Sequence, residues 1–220
     1  HNMVTWMIDS HGSENLKEKF IKKLSTMDIM SSYCLTEAGS GSDAAALKTT
    51  ALKKGNSHYL LNGSKSFISG GPTSDVFAVM CRTGGEGANG VSCLLVEKGT
   101  KGLSFGKQEK KMGWNSQHTS TVNFDNCEIP IDNIVGNEGD GFKIAMKGLD
   151  GGRINIAACS LGGARAALEA SIKYSAERKQ FGKSIDQFQV TQFKLADMAT
   201  ELEASRLMVY RAASSLDNKD

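Results

Sequence analysis

Most of the chain's candidate chemistry is packed into eight residues. Thr36-Glu37-Ala38-Gly39-Ser40-Gly41-Ser42-Asp43 sets three hydroxyls, two carboxylates and two glycines behind the short apolar run Tyr33-Cys34-Leu35. Glycines let the backbone turn sharply and let a ligand come close to it. Hydroxyls and freed backbone N–H groups then face that ligand. On bare chemistry this is a polar ligand cradled by a strand end, with Glu37 and Asp43 as possible acid–base groups. A Gly/Ser-rich loop is also simply a turn, and the same carboxylates cap turns. Two arginines follow. Arg153 closes Leu149-Asp150-Gly151-Gly152-Arg153, and Arg178 lies in Glu177-Arg178-Lys179-Gln180-Phe181-Gly182. A planar, permanently charged guanidinium suits phosphate or carbonyl recognition. A helix-surface salt bridge and a solvated helix end are the respective alternatives.

The totals narrow the classes. A formal net charge of +2 gives no electrostatic case for nucleic acid or an anionic membrane as partner. No apolar run approaches the roughly 20 residues of a membrane helix. The five cysteines (Cys34, Cys81, Cys93, Cys127, Cys159) are odd in number and show no C-x-x-C spacing. That argues against a structural zinc or a disulfide framework and for a reducing compartment. His1, His11, His58 and His118 have no metal-ligand spacing, so no metal site is expected.

The elements that must position these residues fall into three parts. Residues 1–30 read as helical and as the end of a helical domain. Leu16, Phe20 and Leu24 mark its buried face, Ser13 stands three residues before Leu16, and Lys17, Lys19, Lys22 and Lys23 are solvated. Residues 31–135 switch to short β-rich runs: 33–36, 47–52, 58–61, 66–69, 76–81, 91–96, 103–105 and 119–124. Gly55-Asn56-Ser57 and Asn62-Gly63 read as turns between them, and 83–90 as an exposed Gly-rich loop. Six to eight such strands fit a small barrel or sandwich, with Pro72 and Pro130 at strand boundaries. Residues 136–220 change to a 3.6 period. Asp140 is a plausible N-cap, and Ile154, Ala158, Leu161, Leu168 and Ile172 form one stripe. After a break at Gly182-Lys183-Ser184, Leu195, Met198, Leu202 and Val209 form another. Gly162, Gly163, Ala166 and Ala167 would allow close helix packing, as in half of an antiparallel four-helix bundle. The expected class is thus α+β and multidomain: the end of a helical domain, a β-barrel or sandwich domain, and two long bundle helices. The chain opens on His1 inside a helical pattern, with no targeting segment in view, so a piece of a longer protein is expected.

Four stretches, in order, resemble the acyl-CoA dehydrogenase family. Cys34-Leu35-Thr36-Glu37-x-x-Ser40-Gly41-Ser42-Asp43 is similar to its first signature. Asn62-Gly63-x-Lys65-x-Phe67-Ile68-Ser69 resembles its flavin-lining strand. Leu149 to Arg153 resembles the start of the substrate-side helix, and Glu177 to Gly182 the corner that reaches a neighbouring subunit's cofactor. Three further stretches, at 81–85, 113–117 and 151–157, resemble the branch of the family that acts on a short branched acyl thioester in valine catabolism.

The resemblance implies an FAD cofactor and an acyl-CoA substrate. Flavin contacts would come from Tyr33, Leu35, Thr36, Gly41, Ser42, Phe67, Ile68 and Ser69, and from Arg178, Phe181, Phe188 and Gln189 toward an adjacent subunit. Substrate contacts would come from Ser42, Asp150, Gly151, Gly152 and Arg153. Many relatives carry Trp and Thr where Phe67 and Ser69 stand. The same source implies electron transfer flavoprotein as acceptor, a homotetramer and the mitochondrial matrix. Glu37 and Asp43 then become structural, a hydrogen-bonding partner and a turn cap.

The family's base is a glutamate, in most members far downstream and in a minority just before the arginine of the substrate helix. Gly152 holds that second position here and cannot take a proton. The base is therefore expected after Asp220, and the 220 residues alone are expected to be inactive. Ala38, where relatives usually carry Pro, removes a stiff turn but no ligand-facing group. Two other readings are an acyl-CoA oxidase on the same scaffold and a non-catalytic binding module.

Overall fold

A computed structural model describes residues 1–218 and divides the chain into two compact units that meet between Leu149 and Asp150. The first opens with helices α1 (Asn2–His11) and α2 (Glu14–Ser25) rather than one continuous helix. Gly12 interrupts them, since a Cβ there would lie 2.5 Å from the Ile8 carbonyl oxygen. Ser13 restarts the helix as N-cap, accepting from the Leu16 N–H at 3.4 Å. Leu16, Phe20 and Leu24 are all buried, as their spacing predicts.

Eight strands form one sheet: β1 (Ser31–Cys34), β2 (Thr50–Lys54), β3 (His58–Ser69), β4 (Val76–Arg82), β5 (Val91–Glu97), β6 (Leu103–Phe105), β7 (Thr119–Pro130) and β8 (Ile134–Val135). The order is β6-β7-β3-β2-β4-β5-β8, with β1 also paired, in parallel, to β4. β4 and β5 are mostly apolar, Arg82, Ser92 and Glu97 apart, because both of their faces are covered. Val76, Ala78, Met80, Cys93 and Leu95 pack with α1 and α2. Phe77, Val79, Cys81, Leu94 and Val96 pack with residues of β3 and β7, so the sheet curves around a second core.

Two expectations change here. Asn62-Gly63 is not a turn but lies inside a single twelve-residue strand, β3. The pairing jumps from Leu61–Cys127 to Gly63–Phe124, which places the extra residue on β7, where Asn126 has φ 49°. Glycine is needed at 63 for approach: φ is 146°, and a Cβ would sit 2.8 Å from the Thr49 Cα. The Asp43 carboxylate caps no turn; the Asp43 carbonyl accepts from the Ser40 hydroxyl and the Ala46 N–H instead.

Helix α3 (Gly141–Glu177) follows Asp140, whose carboxylate turns back to the Asn137 N–H at 3.1 Å. The second unit holds the rest of α3 and α4 (Gln189–Asn218), joined by a tight hairpin of β9 (Lys179–Gln180) and β10 (Lys183–Ser184). Gly151, early in the unit, lies about 4.0 Å (from an added Cβ) from Leu216 near its end, so the helices run antiparallel. Leu161, Leu168, Leu195, Leu202 and Val209 are half-buried. Gly162 and Gly163 have open space beside them, with no helix packed there among the described residues. The architecture is α+β with a sheet domain and C-terminal helices, as the sequence suggests.

Candidate functional site

In the first unit the two candidate segments, 33–42 and 67–69, become neighbours. β1 and β2 lie along the same edge of β4, Cys34 pairing with Val79 and Thr50 with Arg82. Residues 35–49 are therefore an excursion between two strands on one edge. β3 runs beside the point of departure: the Ser66 N–H donates to the Thr36 carbonyl at 2.8 Å, and the Ser32 hydroxyl to the Ser69 carbonyl at 2.6 Å.

Side-chain direction along β3 is decided by a second bulge. Pairing jumps from Lys65–Val122 to Ile68–Ser120, so three residues of β3 span two of β7. Before it, Tyr59, Leu61 and Lys65 point inward. After it Ile68 points inward, and Phe67 and Ser69 outward. Phe67 takes the left-handed conformation, φ 58°, and its side chain is 66% exposed. An exposed aromatic in a backbone region costly for a non-glycine residue makes Phe67 a candidate ligand-facing position.

Among the other candidates, Leu35 and Ile68 are buried and offer only backbone to a ligand. Gly41 and Ser42 are exposed, on a loop closed by the mutual Glu37–Ser40 backbone bonds at 2.9 and 3.2 Å. The Tyr33 hydroxyl is buried without a hydrogen-bond partner among the described residues, and burial pushes its pKa up. Glu37 is no acid–base group. Burial raises its pKa, but donation from Lys65 and from the Thr49 and Lys48 N–H groups outweighs that and holds it at about 2.

Sequence reasoning passed over Lys65 and Arg82 as site residues. Lys65 is 0% exposed, donating to the Leu35 carbonyl at 3.0 Å and to Glu37 at 2.8 Å. Its inward parity with Tyr59 and Leu61 is the signal that finds it. Arg82 donates to the carbonyls of Ala45, Leu47, Gly85 and Gly87, pinning loop 43–48 to the Gly-rich loop. A cavity of about 630 Å³ opens between those loops, beside Lys48 and Glu86.

In the second unit the corner is a two-residue hairpin turn. Phe181 and Gly182 both have positive φ, 51° and 78°, as a type I′ turn requires. Phe181 is 94% exposed, its ring edge-on to Phe188 at 6.3 Å, and Lys183 sits 4.4 Å over the Phe188 ring. Arg178 has no carboxylate partner among the described residues, and Gln189 opens α4. Asp150 and Arg153 form an exposed pair at 3.8 Å around Gly151 and Gly152. The described residues hold no cluster of metal ligands and no helix long and apolar enough to cross a membrane.

This combination, a curved sheet with a hydroxyl-rich excursion beside an exposed aromatic strand end and a long helical hairpin, is that of a known class. The models of the acyl-CoA dehydrogenase middle domain and C-terminal domain match residues 32–127 and 139–220. The chain belongs to the acyl-CoA dehydrogenase family. Isobutyryl-CoA dehydrogenase, mitochondrial, of Bos taurus is 56% identical over 219 residues, covering 100% of this chain and 52% of that protein. The Dictyostelium discoideum protein of the same description is 56% identical over 100% of this chain and 53% of its own length. The structure of butyryl-CoA dehydrogenase from Megasphaera elsdenii matches with a TM-score of 0.94 at 42% identity, over 97% of this chain and 56% of that one. The chain spans about half the length of the curated relatives it matches.

Proposed function

We propose that the whole protein is an FAD-dependent dehydrogenase that converts a short branched acyl-CoA, isobutyryl-CoA, to its enoyl-CoA. The observation that carries this reading is the seam between Thr36 and Ser66. It brings a hydroxyl-rich loop and an outward Phe67–Ser69 strand end into one wall. The residues fit the cofactor. Phe67 is held out by a strained backbone with its ring bare, beside the exposed Ser69. When bound, the flavin supplies the hydride acceptor; the protein orients it and the thioester. Phe67 would cover the ring, Thr36 and Ser69 would offer hydroxyl hydrogen bonds with Tyr33 packed behind them, and Ser42 would meet the substrate end of the loop.

Arg153, exposed beside Asp150 and next to Gly151 and Gly152, receives the CoA moiety. Arg178, Phe181, Phe188 and Gln189 serve a neighbouring subunit's flavin in a homotetramer. None of these residues takes the α-proton, and the glutamate base is assigned to the sequence following residue 220. Electron transfer flavoprotein is the acceptor. The mitochondrial matrix follows the bovine and Dictyostelium relatives, whose descriptions are mitochondrial. As a three-part arrangement, residues 1–30 close a helical domain, 31–135 form the middle domain and 136–220 begin the bundle.

The test is anaerobic titration of the purified full-length protein with isobutyryl-CoA. A yellow protein that bleaches stoichiometrically supports the reading. A colourless protein refutes it, and peroxide release on turnover in air replaces the dehydrogenase with an oxidase.

A further inference from the structure

Lys65 lies in the apolar interior with its ammonium spanning three segments. It donates to the Leu35 carbonyl, where the excursion 35–49 leaves β1, and to the Glu37 carboxylate two residues further on. Glu37 in turn accepts the Lys48 N–H at 2.7 Å and the Thr49 N–H at 2.9 Å, where the excursion rejoins the sheet. Lys65 itself stands on β3, immediately before the bulge that turns Phe67 and Ser69 outward. The pair is nearly closed to water, with side chains 0% and 10% exposed. The neighbouring Cys34 and Cys81 thiols supply no counter-charge, because burial pushes both pKa values up to about 12. An apolar pair would fill this space at lower desolvation cost. It would not aim directional bonds at both ends of the excursion.

We propose that Lys65 and Glu37 are positioning residues, a buried clamp that fixes both ends of the 35–49 excursion to the Phe67–Ser69 end of β3. This rests on the reading of that wall as the flavin and thioester face. The clamp sets the spacing between Ser42, on the excursion, and Phe67, on the strand. Neither clamp residue touches a reactant.

The test compares the full-length protein with the double variant Glu37→Gln/Lys65→Met and with Glu37→Asp. The double variant removes both charges at similar volume. Glu37→Asp keeps the charge and withdraws the carboxylate by one methylene. The clamp predicts about a tenfold rise in KM for isobutyryl-CoA and about tenfold faster flavin loss in the double variant. It predicts kcat changed by less than about threefold, with faster amide exchange at Lys48 and Thr49. Glu37→Asp shows the same pattern at smaller size, and it decides the matter if the double variant does not fold. A folded variant with unchanged KM, flavin retention and exchange overturns the clamp while leaving the enzymatic reading intact. An unsubstituted protein that takes up no FAD overturns both.

Discussion

Replacing Phe67 by Gly separates the contribution of this residue to the fold from its contribution to the ligand. Only about a third of the side chain is buried. A fully buried Phe removes roughly 200 Å² from water, so the loss is about 70 Å², or ~2 kcal/mol at ~25 cal/mol per Å². Against it stands relief of the left-handed backbone, φ 58°, worth about 1–2 kcal/mol. Glycine's extra freedom in the unfolded chain takes back ~0.5–1 kcal/mol. The net is a destabilisation of about 1 kcal/mol, a melting shift of roughly 2–4 °C for a chain of this size. The exposed two thirds of the ring is what a flavin would cover. Discounting that area heavily for the costs of association leaves ~2 kcal/mol of binding, or about 30-fold in Kd. FAD titration by fluorescence quenching and thermal melting of the full-length protein read the two effects. Phe67→Trp, which restores a larger aromatic surface, should recover most of the affinity. A Phe67→Gly protein that melts more than about 10 °C lower yet binds FAD normally would refute the argument, because Phe67 would then be a core residue.

Acid stability should carry the signature of Glu37. Its pKa falls from 4.5 to about 2 on folding, so the stabilisation is complete above about pH 4.5 and is lost as pH drops toward 2. It amounts to about 3 kcal/mol. Urea midpoints between pH 5 and 2 should fall more steeply for the unsubstituted chain than for Glu37→Gln; parallel curves would contradict the assignment. Gly63→Ala forces a Cβ onto the Thr49 backbone at φ 146° and should cost about 2–4 kcal/mol in denaturant unfolding, where a change under ~0.5 kcal/mol would show that the bulge relaxes freely. Thiol titration of the native 220-residue chain should label Cys159 alone, since the other four cysteines are buried with raised pKa values. Rapid reaction of a second thiol would show that the sheet opens locally.

Where local pattern and tertiary environment agree, the sequence is readable. The strands at 76–81 and 91–96 announce themselves by apolar runs, broken only at Ser92, because both faces are covered. The face of α2 is legible from a period that packing confirms. Asn62-Gly63 misleads because the dipeptide that favours a turn also suits a bulge, and what chooses between them is Thr49, distant in sequence and pressed against the Gly63 backbone. The order of the motifs carries the family, but not which members of a motif turn toward a ligand. Leu35 and Ile68 sit in the signature stretches with their side chains in the core.

The direction of Phe67 is the sharpest instance, and it ties fold to function. By simple alternation from Tyr59, Leu61 and Lys65, residue 67 belongs on the inward face. One extra residue on β3 relative to β7 reverses that parity, and a left-handed φ at Phe67 absorbs the difference. The same irregularity lies directly after Lys65, so the last inward side chain before the reversal is also the one that holds Glu37 and the excursion. A bulge by itself would let the strand end drift, because its ladder is interrupted there. A buried ammonium bonded to the Leu35 carbonyl and to Glu37 replaces the missing restraint with bonds to the loop that the outward residues must face. The departure from regular strand geometry and the burial of a charge, each unfavourable alone, are thereby parts of one local solution. The strand turns an aromatic ring outward at a distance from Ser42 that the clamp, rather than the sheet, determines.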